Sequence, residues 1–176
     1  MKVIFLDIDG VLNHADTFKA EELRSSTNKW SSMLDTSAVQ RLDRIIRATD
    51  AYVVLSSSWR YIFSSAERLA ELQGLLAEKG FSGTIIDRTL LKSEMHDDLL
   101  YSLLTQFSLD SAQGAARGLE IAAWIRKHAL DSFVILDDDN DFPNYKDHLV
   151  KTTWEKGLED HHAQAAIEIL QRVEGV

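Results

Sequence analysis

Asp7 and Asp9 stand two residues apart at the end of the apolar run Val3-Ile4-Phe5-Leu6, and Gly10 follows them. Side chains two apart on a strand project to the same side, so a strand ending here presents two carboxylates together. Left alone they repel, and one of them keeps its proton; a divalent cation or a basic side chain resolves the conflict. Two further apolar runs end in polar clusters. Tyr52-Val53-Val54-Leu55 leads into Ser56-Ser57-Ser58-Trp59-Arg60, and Phe133-Val134-Ile135-Leu136 leads into Asp137-Asp138-Asp139-Asn140-Asp141. Arg117 heads a helical pattern shortly before the last of these runs. Grouped acids suit a hard divalent ion, and oxygen ligands with retained waters suit Mg2+. Serine and arginine are good donors to phosphoryl oxygens, and a carboxylate can serve as a covalent nucleophile. This set of groups suits phosphoryl transfer, by positioning and charge stabilisation.

These groups lie far apart in the chain, so a fold must collect them. Continuous apolar runs of four or five residues read as strands buried on both faces, as in a parallel sheet. Strands are expected at 3–7, 52–55, 84–87, 133–136 and 148–152. Helical periodicity between them predicts helices near 37–48, 65–79, 94–107, 118–128 and 159–173. Ser37 with Gln40, and Ser64 with Glu67, have the spacing of capping boxes. The alternation predicts an α/β fold with a mostly parallel sheet. In such a sheet the strand ends share one edge, where ligands bind, so the clusters at Asp7/Asp9, Ser56 and Asp137/Asp138 can meet there.

The chain has 176 residues, suited to a single domain spanning 1–176. It has no cysteine, which excludes disulfides, thiolate metal sites and cysteine nucleophiles and fits a reducing cytoplasm. No apolar run approaches the ~20 residues of a membrane span, so no membrane association is expected. The formal net charge of −9 argues against bulk attraction to nucleic acid.

In order along the chain, the sequence resembles the haloacid dehalogenase (HAD) superfamily of phosphohydrolases. Its first motif is matched by Asp7-Ile8-Asp9-Gly10-Val11-Leu12 and its second by Ser56, with Ser57 as the alternative. The third is matched by Arg117, and the fourth by Asp137-Asp138 with Asp141. More narrowly, Leu55-Ser56-Ser57-Ser58-Trp59-Arg60, Arg117-Gly118-Leu119-Glu120-Ile121 and Ile135-Leu136-Asp137-Asp138-Asp139 resemble the HAD domain of Swiss-Army-Knife RNA-repair proteins. The resemblance implies a Rossmann-like three-layer α/β/α fold and a phosphorylated substrate. It implies that Asp7 attacks phosphorus, and that Asp9 protonates the leaving oxygen and then activates water. It further implies that Ser56 or Ser57 and Arg117 hold the phosphoryl group. Mg2+ would be held by Asp7, the main-chain carbonyl of Asp9, and Asp137 or Asp138. Asp9 would need a raised pKa for its acid role.

HAD enzymes choose substrates largely through inserted caps, and no segment here is large enough for a separate one. A small flap from 14–35, joined by 88–116, is the most the sequence offers. An open site suits a bulky substrate such as a nucleotide, a nucleic-acid end or a phosphoprotein. Two other readings stay open: a metal-dependent nuclease and a binding module that has lost turnover. Among flanking residues, Trp30 reads equally as core or substrate contact. Trp59 is expected to pack in the core, Arg60 to form a surface pair, Asp141 to orient the metal's waters, and His161-His162 to lie on the surface.

Overall fold

The computed structural model describes residues 1–19, 29–109 and 116–172. Its five strands are β1 (Lys2–Leu6), β2 (Tyr52–Leu55), β3 (Ile85–Arg88), β4 (Ser132–Asp137) and β5 (Leu149–Lys151). They form one sheet in the order β3-β2-β1-β4-β5, with every pairing parallel. Six α-helices accompany them among the described residues: α1 (Lys29–Ser32, a single turn), α2 (Thr36–Thr49), α3 (Ala66–Ala77), α4 (Asp97–Gln106), α5 (Ala116–Ile125) and α6 (Asp160–Gln171). This is the α/β arrangement with a parallel sheet that the alternation predicts, in the Rossmann-like form that the resemblance implies.

Strand alternation divides the sheet's residues between two faces. Ile4, Leu6, Val53, Leu55, Val134 and Leu136 pack with α2, α3 and α6 on one side. Val3, Phe5, Val54 and Ile135 pack with Ile121 and Trp124 of α5 on the other. Helix α4 is added behind α5 through Leu103, Leu119, Ala122 and Ala123. Three central strands covered on both faces explain why their sequences are unbroken apolar runs.

Helix caps differ from the spacing-based expectation by one or two residues. Asp35, not Ser37, caps α2 by accepting from the Ala38 N–H at 2.7 Å. Ser65, not Ser64, caps α3 by accepting from the Arg68 N–H. Each rival has an oxygen acceptor, and the tertiary entry angle of the chain decides which is used. His162 is buried, not on the surface, and its Nδ1 accepts from the N–H of Glu159 at the start of α6.

Register sets up the site. Leu6 pairs with both Leu55 and Leu136. Main-chain bonds then continue one residue further, from the Asp7 N–H to the Leu136 carbonyl and from the Ser56 N–H to the Leu6 carbonyl. Asp7, Ser56 and Asp137 therefore leave three neighbouring strands at the same level.

Of the expected flap at 14–35, residues 20–28 lie outside the described residues, as do 110–115 within 88–116. The described ends fold back on the domain. Phe18 stacks on Trp154 with ring centroids 5.3 Å apart. Trp30 meets Trp59 and Phe63 edge-on at 5.0 and 5.6 Å, which gives it a core-packing role.

Candidate active site

The chain turns sharply after β1. The N–H groups of Val11, Leu12 and Asn13 all point to the Ile8 carbonyl, and Gly10 sits at a φ of 75°. Only glycine adopts that conformation without strain. A Cβ there would also collide with the Asp138 carboxylate, which lies against the Gly10 backbone. The glycine thus lets the first and fourth motifs touch. Thr152, after β5, donates from its hydroxyl to the Gly10 carbonyl at 2.7 Å and closes the turn from the other side.

Asp7 is buried. One of its oxygens accepts the N–H of Ile8 at 2.7 Å, and the other lies 3.1 Å from the Arg117 guanidinium. The same nitrogen of Arg117 lies 3.0 Å from Asp137 and also donates to the Ser56 carbonyl. Arg117 occupies the first turn of α5, where its own N–H donates to Asp141 at 3.0 Å. Asp141 therefore anchors the arginine's backbone. Its second oxygen is buried without a partner. Asp137 accepts the Asp139 N–H at 2.9 Å, while the Asp139 side chain faces solvent.

Carboxylate oxygens of Asp7, Asp137 and Asp138 lie within 4.8 Å of one another. Three acids face one guanidinium, so negative charge is in surplus. Burial, followed by the charge of Asp7, pushes Asp137 up to about 7. Burial also raises Asp7, against the opposing pull of Arg117 and of a hydrogen bond from Ser57, and it raises Asp138. Burial works against the charge on Arg117, but the carboxylates Asp7, Asp137 and Asp141 outweigh it and hold its pKa above the ordinary value. A dication is the group that such a surplus of oxygen donors fits.

The two candidate serines have different surroundings. Ser57 is fully buried, bonds to Asp7, and accepts weakly from the N–H groups of Ile8 and Trp59 at 3.4 and 3.3 Å. Ser56 offers its carbonyl to Arg117, while its hydroxyl is buried with no partner. A buried hydroxyl left unpaired beside a charged cluster is a donor in want of a ligand.

Asp9 stands apart from the three-acid cluster. Its carboxylate accepts from the indole N–H of Trp59 at 3.1 and 3.2 Å, from the Asn13 amide at 2.8 Å and from the Ser58 hydroxyl at 3.3 Å. The expectation of Asp9 as a metal ligand concerns its main-chain carbonyl, not this side chain. The sequence alone does not reveal that Trp59 and Asn13 serve Asp9. Asn13 is four residues away across a turn, and Trp59 reads as a core aromatic.

Arg60 is a correction. It is buried, not part of a surface pair, and its guanidinium pairs with Glu120 of α5 and donates to the Thr89 hydroxyl at 3.1 Å. Glu120 in turn accepts the Lys92 N–H at 2.9 Å. The signal available was Glu120 one turn after Arg117, which places it beneath the site on the same face of α5.

An all-parallel α/β sheet whose central strands deliver Asp7, Ser56 and Asp137 to one edge, with an arginine bridging the two acids, defines a HAD-type hydrolase. A family model described as the HAD domain in Swiss Army Knife RNA repair proteins matches residues 3–163, and the chain belongs to that family. The resemblance carried by the four motifs is thereby borne out. The family generally uses a divalent metal and a phosphorylated substrate, and the three-acid cluster is of the kind that holds such a metal. No curated protein and no solved structure matches the chain. Among the described residues, no helix is long and apolar enough to cross a membrane.

Proposed function

We propose that this chain is a Mg2+-dependent phosphohydrolase that cleaves a phosphomonoester through an aspartyl phosphate on Asp7. The observation that carries the reading is the surplus of three convergent carboxylates over a single guanidinium at the ends of the central strands. Asp7, Asp137, Asp138 and the Asp9 carbonyl would hold the ion. When bound, Mg2+ supplies positive charge that offsets the repulsion between the Asp7 carboxylate and an anionic phosphate.

The residues then divide the work. An Asp7 oxygen attacks phosphorus, and the bond to the leaving oxygen breaks with its electron pair. Asp9 gives that oxygen its proton. Asp9, now ionised, takes a proton from water, whose oxygen bonds to phosphorus while the bond to Asp7 breaks. Asp7 returns as a carboxylate, Asp9 as an acid, and phosphate leaves. Arg117 and the unpartnered Ser56 hydroxyl bind phosphoryl oxygens, with Ser57 holding Asp7 in place. The family match and the lack of a cap-sized segment favour a nucleotide or nucleic-acid end as substrate. The cysteine-free composition fits work in a reducing cytoplasm, and the whole chain acts as one domain.

Release of p-nitrophenol from its phosphate ester tests the reading. The native chain should turn over with Mg2+ and stop with EDTA. Asp7→Asn should lose at least about a thousandfold in kcat while keeping its fold. Equal activity in both chains would remove Asp7 as the nucleophile. Cleavage of phosphodiesters that survives in Asp7→Asn would point to a metal-dependent nuclease instead.

A further inference from the structure

The geometry points to Trp59 as the positioning residue for the proton transfer at Asp9, acting with Asn13 and Ser58; this rests on the phosphohydrolase reading above. The indole is buried at 5% exposure, stacked on Phe63 with ring centroids 5.9 Å apart and met edge-on by Trp30. Its ring therefore has no freedom to turn, and its N–H is fixed between both oxygens of Asp9. An indole nitrogen only donates, so this contact orients the carboxyl group without taking the proton that Asp9 passes to the leaving oxygen.

The other two donors complete the frame. The Asn13 amide oxygen accepts the Gly10 N–H at 3.0 Å, which turns its NH2 towards Asp9. Asn13 is wholly buried, so that orientation is set by the turn itself. Ser58 meets the second oxygen of Asp9 and is exposed. Its hydroxyl can donate or accept, and so suits the side of Asp9 that faces substrate and solvent. The carboxyl group of an aspartate otherwise turns over a broad range about its last bond. Here the first and second motifs cooperate to stop that rotation. Asp7 is held by different groups, a main-chain amide, Ser57 and the charged Arg117.

A positioned acid matters only when the leaving oxygen needs a proton. An alkoxide does; p-nitrophenolate is stable near neutral pH and does not. The quantity to compare is kcat/KM, which covers events up to transfer of the phosphoryl group to Asp7 and excludes the later attack by water, common to all substrates. Trp59→Phe keeps the ring stack and removes the N–H. With Mg2+ present, it should lower kcat/KM for glycerol phosphate by about 10–100-fold, a fraction of what general acid catalysis supplies, and lower that for p-nitrophenyl phosphate by less than about threefold. Ser58→Ala should shift the ratio of the two substrates the same way by about twofold to fivefold, in keeping with one long neutral hydrogen bond. An equal fall on both substrates in Trp59→Phe would make the tryptophan a packing residue only, and would overturn the inference while leaving the phosphohydrolase reading standing. Failure of the native chain to cleave either substrate would overturn that reading and this inference with it. If Trp59→Phe does not fold, Ser58→Ala decides alone: an unchanged ratio overturns the inference, and a shifted ratio upholds it.

Discussion

Two ionic groups lie side by side under the carboxyl edge of the sheet, and they are built on opposite rules. At Arg60–Glu120 the charges match. The guanidinium has Glu120 and Thr89, and the carboxylate has Arg60 and the Lys92 N–H; both side chains are nearly inaccessible. Burial pushes the Arg60 pKa down and the Glu120 pKa up, and in each case the partner's charge opposes it. At Asp7–Asp137–Asp138–Arg117 the charges do not match, and Asp137 is driven to about 7. Both groups use an arginine and both tie α5 to the loop after β2. The balanced group serves the frame. The unbalanced one carries surplus negative charge at the carboxyl ends of the strands, and that is what singles it out as the candidate site.

The contrast is broken most severely by halving the balanced pair. Arg60→Ala leaves Glu120 buried and uncompensated and should cost about 3–5 kcal/mol in urea unfolding. Replacing both partners by apolar residues of similar size should cost clearly less. At the unbalanced group the sign reverses. Asp137→Asn removes a carboxyl from a repelling cluster and should stabilise the metal-free protein by about 1–3 kcal/mol at pH 7.5 while abolishing turnover.

The same carboxyl sets a pH dependence. Its folded pKa of about 7 lies above the ordinary value of 3.8, so the folded state holds a proton that the unfolded state releases. The associated stability is complete below 3.8 and is lost as pH rises through about 7. Thermal melts of the metal-free chain should fall over this window, and Asp137→Asn should flatten the curve. Gly10→Ala, which forces an L side chain to a positive φ and against Asp138, should cost about 1–2 kcal/mol and most of the activity. The smallest effect belongs to a surface pair. The hydrogen bonds from Arg88 and the Leu91 N–H lower Glu94 to about 2. Its stability is present above the ordinary value of 4.5 and fades as pH falls towards 2. Because Glu94 is about one-third exposed, solvent screening keeps this below about 1 kcal/mol, read as a small loss of acid resistance in Glu94→Gln.

The strands were legible because burial on both faces writes itself as an unbroken apolar run, and the run ends where the strand does. Helix existence was legible for the same reason, whereas caps were not: neighbouring hydroxyls and carboxylates compete, and only the chain's approach decides between them. At the site, Asp7, Asp137 and Arg117 were visible as charges at strand and helix ends. Arg60 was not, because its partner is sixty residues away and nothing local separates a buried arginine from a solvated one. Trp59 was misleading in part, since it is both the core aromatic its type suggests and the donor to Asp9. The two serines could not be ordered from sequence, because alternation gives their sides but not which hydroxyl is already engaged.

The position of β1 at the middle of the sheet has a consequence for how the chain is made. β1 is made before both of its partner strands, and one of them, β4, follows only after β2, β3 and the helices between them. Until then the nascent chain carries an apolar strand with an open edge, the kind of surface that pairs with other chains. Catalytic competence and protection from aggregation should therefore arrive together, when residues 132–137 emerge and close that edge.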